Sequence, residues 1–376
     1  MPVSISGTNG VTFPDSSLQA AAASPYVLKN RIINGDMRID QRNAGASVTA
    51  TTSNLYTIDR WQSIASQSSK YTVQQNAGSV TTPAGFNNYL GITSSSAYTV
   101  LTGDYFAIVQ KIEGFNFADL NWGTANAQTV TLSFRVYSSL TGTFGGVLQN
   151  YASTRSYPFT YTISSANTWT TISITIAGDT SGTWVGASNN GAATLIFGLG
   201  SGSTYNGTAG AWASASYLSA TGATNIVSTN GATFYITGVQ LEVGSTATPF
   251  ERRLYGQELI NCQRYCYKDG GNVANQYSNT PGGYYDANYV SFGVLRFPVT
   301  MRTAPSLTQY GTPVIWQTAS EVSTTMTSWN ITINGNPSTQ LCYLTANKTS
   351  HGITPSILHV VRYTTTSDYF IFSSEL

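Results

Sequence analysis

Charge is scarce in this chain. Of 376 residues 17 are basic and 16 acidic, so charged side chains make up 9% of the sequence, where a globular domain carries about 25%. The two signs cancel to a net +1. No basic stripe is left to follow phosphates and no polybasic segment to hold an anionic bilayer, so neither nucleic acid nor membrane insertion is expected. Histidine is rarer still: His351 and His359 are the two in the chain, which gives imidazole acid–base chemistry little to draw on. The three cysteines, Cys262, Cys266 and Cys342, are too few and scattered for a zinc site, and their odd number suggests no disulfide framework. No metal or other cofactor is expected. No run approaches about 18 consecutive apolar residues. The opening MPVSISGTNG has neither the cationic nor the apolar region of a signal peptide. The expectation is a chain made in a cytoplasm without such a peptide.

Apolar material is plentiful. Hydrophobic residues make up 41% of the chain and aromatics 12%, enough for sizeable cores and against disorder. Polarity has moved to Ser, Thr, Asn and Gly. The few charges are unevenly placed: eight lie within 29–60, eight within 242–269, and eight in the whole of 61–241. Two readings are open. The charged stretches are solvated surface runs, or they are collars that meet in space as inter-chain ion pairs where a domain joins a stem.

Strand signals dominate between the collars. Val130, Leu132, Phe134 and Val136 alternate with Thr131, Ser133 and Arg135, the period of a half-buried strand. Ile172, Ile174 and Ile176 repeat it. In the stretch from Phe234 the apolar phase passes from Phe234 and Ile236 to Val239, Leu241 and Val243. A bulge at Thr237–Gly238 would restore the inward face. Asn189-Asn190-Gly191 and Asn206-Gly207 are turn signals. Many short strands without a helical period predict an all-β fold, a jelly-roll β-sandwich over 29–252. From Arg253 to Lys268, Tyr255, Leu259, Cys262 and Cys266 fall on one helical stripe. This predicts a short connecting helix over 253–270, ended by Gly270-Gly271. The stripe packs on a neighbouring sheet, or three copies meet at an axis through these four residues; the second is preferred. Strand patterns resume over 271–376 and predict a second small C-terminal β domain.

The quoted segments resemble a known class. Asn30-Arg31-Ile32-Ile33-Asn34-Gly35-Asp36-Met37, Gln41-Arg42 and Tyr56-Thr57-Ile58-Asp59-Arg60-Trp61 resemble the opening of the adhesin-like domain of tailed-bacteriophage tail fibre and appendage proteins. Phe234 through Gly244 with Ala247-Thr248-Pro249-Phe250-Glu251 resembles its closing strand and exit, and is similar to the last strand of carbohydrate-binding jelly rolls. Tyr255-Gly256-Gln257-Glu258-Leu259 with Cys262-Gln263-Arg264-Tyr265 resembles the helical connector. Phe297 through Arg302 with Ala304-Pro305 resembles a distal tip domain, and Gly10 through Asp15 a virion-attachment leader, placed at 1–28. The resemblance implies a homotrimeric, fibre-like virion component that joins other phage virion proteins through its N-terminus and binds a host-surface glycan. The segments 139–161 and 181–229 match none of these motifs and are where receptor choice is expected to vary.

Sugars offer apolar ring faces to aromatics and hydroxyls to amides and alcohols, and both residue types abound here. Trp184, Tyr205, Trp212 and Tyr217 lie among Gly, Ser and Asn and are the stacking candidates, with loop or core packing as the competing role. Asp104, Glu113, Asp119 and Asp179 are the acids between 61 and 241. No two of them are marked as the carboxylate pair a glycosidase needs, so no catalytic residue is assigned. Two other functions stay open: a virion structural or decoration protein without a receptor, and a capsule depolymerase. Against the latter stands the absence of solenoid-period repeats.

Overall fold

The computed structural model describes residues 29–278, 284–285, 289–317, 322–325, 328–332, 338–347 and 359–376, and three short strands before them, Ser4–Ser6, Gly10–Thr12 and Leu18–Gln19. The rest of the leader, and His351, lie outside the described residues.

Alternation becomes two sheets. The strands are β1 (Val48–Thr49), β2 (Leu55–Ile58), β3 (Trp61–Ala65), β4 (Tyr71–Gln75), β5 (Leu90–Ser94), β6 (Tyr105–Glu113), β7 (Val130–Ser138), β8 (Gly142–Asn150), β9 (Ser156–Ile163), β10 (Thr170–Ile176), β11 (Gly191–Ser201) and β12 (Thr233–Val243). One six-stranded sheet has the order β10-β7-β12-β5-β4-β1 and the other β9-β8-β11-β6-β3-β2. Every pairing within them is antiparallel. Non-sequential neighbours in both sheets make this a jelly-roll β-sandwich. The inward residues, among them Trp61, Phe134, Phe197 and Leu241, form one continuous core.

The slip in β12 is a bulge. Ser133 pairs with Gln240 while Arg135 pairs with Thr237, so β12 spends one extra residue there. Gly238 adopts φ +61, and a Cβ on it would lie 2.6 Å from the Phe86 ring. Ile236 and Val239 consequently both face the core. The segment before β1 is stapled to this strand, with Arg31 N donating to Leu241 O at 2.9 Å and Val239 N to Gly35 O at 2.9 Å.

The helix is shorter than its sequence stripe predicts. It spans Tyr255–Gln263 (α1), and Cys266–Gly270 is a strand (β13), paired in register with Tyr369–Ser373 (β15). Gly270-Gly271 therefore ends a strand and not the helix. With Ser306–Tyr310 (β14), these strands form a sheet of order β13-β15-β14. Leu295, Phe297, Met301, Phe370 and Phe372 give this second β unit its own core.

The charged collars meet within the chain through hydrogen bonds, Asn30 N donating to Glu251 at 2.9 Å and Arg38 Nη2 to Arg253 O at 2.7 Å, while their ion pairs run elsewhere. Arg264 holds Glu113 through Nε at 2.9 Å and Nη2 at 2.5 Å, and Arg253 reaches Glu251 at 3.0 Å and Glu258 at 3.2 Å. Glu375 takes both Arg42, at 3.0 Å, and Arg60. Cys262 is fully buried with Ile33, Ile39 and Tyr265, and Cys266 is equally enclosed. The cysteine half of the stripe thus packs on its own chain, leaving these two side chains no surface for another copy. Leu259 is partly buried against the same cluster. Leu254, Tyr255 and Ile260 stay outside, at 83%, 59% and 45% exposure.

Candidate functional site

A strand buried on one face presents every second residue to the other. Along β6 the core takes Phe106, Ile108 and Ile112, leaving Tyr105, Val109 and Lys111 for the outer face. Register carries that face across the sheet: Val109 lies beside Gln62 on β3 and Ile196 on β11, and Thr194 lies between Lys111 and Gln149. These side chains floor an open groove of about 450 Å³, within the roughly 300–1,000 Å³ usual for small-ligand sites.

Three tyrosines rim the groove. Tyr105 and Tyr205 meet edge to face, with ring centroids 5.2 Å apart. Tyr205 ends a 3-10 turn at Ser203–Tyr205, and its carbonyl accepts Leu218 N at 2.8 Å, which folds the 203–220 segment into one wall. Tyr151, 39% exposed, forms the opposite wall with Lys111, whose Nζ lies 5.6 Å from the ring centroid and donates to the Leu376 backbone oxygen at 2.8 Å. Burial, reinforced by the Arg60 charge, pulls the Lys111 pKa down against the pull of Glu375.

The floor combines apolar and amide chemistry. Val109 and Ile196 are buried beneath the groove. Gln62 and Gln149 line it at 5% exposure each, and the Oε1 of each has no hydrogen-bond partner in the protein.

The sequence candidates are not brought together. Tyr205 lies on the groove. Tyr217 covers the outer sheet face beside Val147 and Ile196, its ring so close to Gly207 that a Cβ there would lie 2.3 Å from it. Trp184 and Trp212 belong to a separate aromatic cluster packed against the core. Trp184 stacks on Phe117 at 5.6 Å and 14°, and Trp122 meets Trp184 at 4.8 Å and Trp212 at 5.2 Å. Their indole N–H groups are occupied, Trp184 by Asp179 at 3.2 Å and Trp212 by Ala177 O at 2.7 Å. Both take part in this packing while staying partly exposed. The segment 139–161, expected to vary as a loop, is mostly β8 and β9.

Each acid has its own partner. Asp179 is forked by Arg155 at 2.8 and 2.6 Å, Asp119 by Arg31 at 2.7 and 2.6 Å, and Glu113 by Arg264 and the Tyr265 hydroxyl. Burial pushes the Asp104 carboxyl up, but bonds from Leu101 N, Tyr98 and Ser66 outweigh it and hold the pKa below the usual range.

Sequence reasoning missed Tyr105, Tyr151, Gln62 and Gln149. Inward and outward residues of β6 are both largely apolar, so alternation gives no polar face to read.

No family model matches the chain and no curated protein does. Among solved structures, the chain is similar to a family 11 carbohydrate-binding module from Clostridium thermocellum in complex with a β-1,3-1,4-mixed-linked tetrasaccharide, at 12% identity and TM-score 0.28, over 55% of this chain and 100% of the module. A putative sugar binding protein from Bacteroides thetaiotaomicron is similar at 12% identity and TM-score 0.34, over 57% of this chain and 100% of that one. A CBM22 tandem domain from Paenibacillus barcinonensis is similar at 10% identity and TM-score 0.24, over 90% and 100%.

Proposed function

We propose that this protein is a non-catalytic, glycan-binding fibre or appendage component of a tailed-bacteriophage virion, acting in adsorption to the host. The observation that carries the reading is the tyrosine-rimmed groove with Gln62, Gln149 and Thr194 among its lining residues. Tyrosine rings offer faces to the apolar side of a pyranose, and Gln62, Gln149 and Thr194 offer acceptors and donors to its hydroxyls. The virion part of the reading rests on the ordered motifs at 30–61, 234–251 and 255–265, which supply the strand, staple and helix of the joint. In this reading three copies associate beside α1, the leader joins other virion proteins, and the groove faces the host. The test is binding of the purified full chain to a glycan array and to host cells. Selective retention of one glycan class supports the reading; no retention on either, from protein that is folded, overturns it.

A further inference from the structure

The sheet opposite the tyrosine groove carries a second groove, of about 500 Å³. Arg135 on β7 rises from its floor, beside Thr171 on β10 and one step from the cross-strand pair Ser133 and Ser173. Phe86, Phe250 and Arg252 line the wall. Arg252 lies over both rings, its guanidinium carbon 4.7 Å from the Phe86 centroid and 5.8 Å from that of Phe250. The bulge at Gly238 makes the seat for Phe86, since a side chain there would strike the ring.

Charge is scarce in this protein, and most of its other arginines are engaged, the exposed Arg296 being an exception. Seven hold a carboxylate in an ion pair, and Arg302 and Arg362 donate to oxygens at 2.6–3.0 Å. Among the described residues Arg135 has neither an ion pair nor a hydrogen bond. The neighbouring acids are already tied: Glu242 by Thr248 N at 2.9 Å and its hydroxyl at 2.5 Å, Glu251 by Asn30 N at 2.9 Å and Arg253, and Asp36 by Arg38 at 3.2 Å. Two guanidinium groups thus share one groove without a carboxylate from the protein.

We infer that this groove binds the carboxylate of an acidic sugar unit, with Arg135 and Arg252 as its anion-holding pair. Guanidinium forks match a carboxylate in plane. Phe250, half-buried, offers a face to the ring carbons, and Ser133, Ser173 and Thr171 offer hydroxyls to the remaining sugar oxygens. The inference does not rest on the tyrosine groove, which lies on the other sheet.

The experiment is calorimetric titration of the full chain with galacturonic-acid and glucuronic-acid oligosaccharides, their methyl esters and inorganic phosphate. Saturable binding of an acid oligosaccharide is expected, weakened about tenfold or more in Arg135→Gln and in Arg252→Gln. The methyl ester should bind at least about tenfold more weakly, and Tyr105→Ala should leave the affinity within about twofold. Arg135 makes no internal bond, so its variant is expected to fold; an unchanged melting temperature verifies this. Absence of acid-oligosaccharide binding, equal binding of the ester, or full displacement by millimolar phosphate overturns the inference, the last marking an adventitious anion only. Loss of acid binding in Tyr105→Ala with retention in Arg135→Gln also overturns it. A neutral glycan held in the tyrosine groove would survive any of these outcomes.

Discussion

The guanidinium of Arg60 lies 3.5 Å from the centre of the Tyr265 ring, and the two residues belong to the two collars that flank the sandwich in sequence. Arg60 enters β3 and Tyr265 follows α1, so their contact fastens the second β unit to the first. Glu375 completes the seam, accepting from Arg60 and Arg42. A cation pressed on an aromatic face and paired with a carboxylate in a dry place is a fixed joint rather than a solvated one.

Removing one partner of that joint should be costly. Arg60 and Glu375 are 1% and 6% exposed, and breaking a buried pair from one side typically costs about 3–5 kcal/mol. Arg60→Met and Glu375→Gln are each expected to lose stability on this scale in urea unfolding. A loss below about 1 kcal/mol for both would show that the joint behaves as a surface pair.

Acidity should act on the same joint in the less familiar direction. Burial pushes the Asp59 carboxyl up to about 6, against the pull of the Arg42 charge and of the bond from Gln41 N. The folded chain therefore keeps this proton to higher pH than the unfolded chain, whose carboxyl titrates near about 3.9. The sign follows: stabilisation from this group is complete below about pH 4 and is lost as pH rises through about 6. Asp59→Asn is expected to flatten that part of the stability profile in urea titrations at stepped pH. An unchanged slope between pH 4 and 6 would contradict the assignment.

Groove variants should separate ligand binding from folding. Tyr105→Ala and Tyr205→Ala each remove a rim ring, and each is expected to weaken the glycan retained on an array by about tenfold or more, which is about 1.4 kcal/mol. Trp212→Ala should instead lower the melting temperature, because its ring packs on Trp122, Tyr157 and Trp184. Glycan binding lost in Trp212→Ala but kept in both tyrosine variants would move the site to the other cluster.

Self-association has a compact test. Leu254, Tyr255 and Ile260 are the exposed apolar residues at α1. Light scattering at micromolar concentration is expected to give the mass of three 40.2 kDa chains, falling to one chain in Leu254→Ser with Ile260→Lys. A monomer for the unaltered chain would rule out the trimer.

Local pattern was enough for the sandwich where a segment's partner imposes nothing new. The alternation over 130–136 and 172–176 became β7 and β10, and the phase slip at Thr237–Gly238 became a bulge because a two-residue repeat can change face only by inserting a residue. The helix end was not legible. Cys262 and Cys266 keep a helical spacing, yet Cys266 pairs with Ser373, a partner more than a hundred residues away that no local window contains. The candidate site was legible at Tyr205 and little beyond it, for a related reason. Tyr205 stands out among small polar residues, whereas Tyr105 and Gln62 become site residues only once β3, β6 and β11 lie side by side and the 203–220 segment has chosen which part of that face to cover.

The sheet order β10-β7-β12-β5-β4-β1 sets the timetable of folding. The last strand of the sandwich in sequence is an inner strand of its sheet, so until residues 233–243 are synthesised that sheet exists as two pieces with facing open edges. Such edges pair readily with other chains. Truncation before residue 233 should therefore yield aggregates rather than a smaller domain. In the full chain the sheet closes late, with Arg31 and Gly35 bonding to the incoming strand, and the Arg135 groove comes into being in the same event because β12 and the 247–252 exit form one side of it.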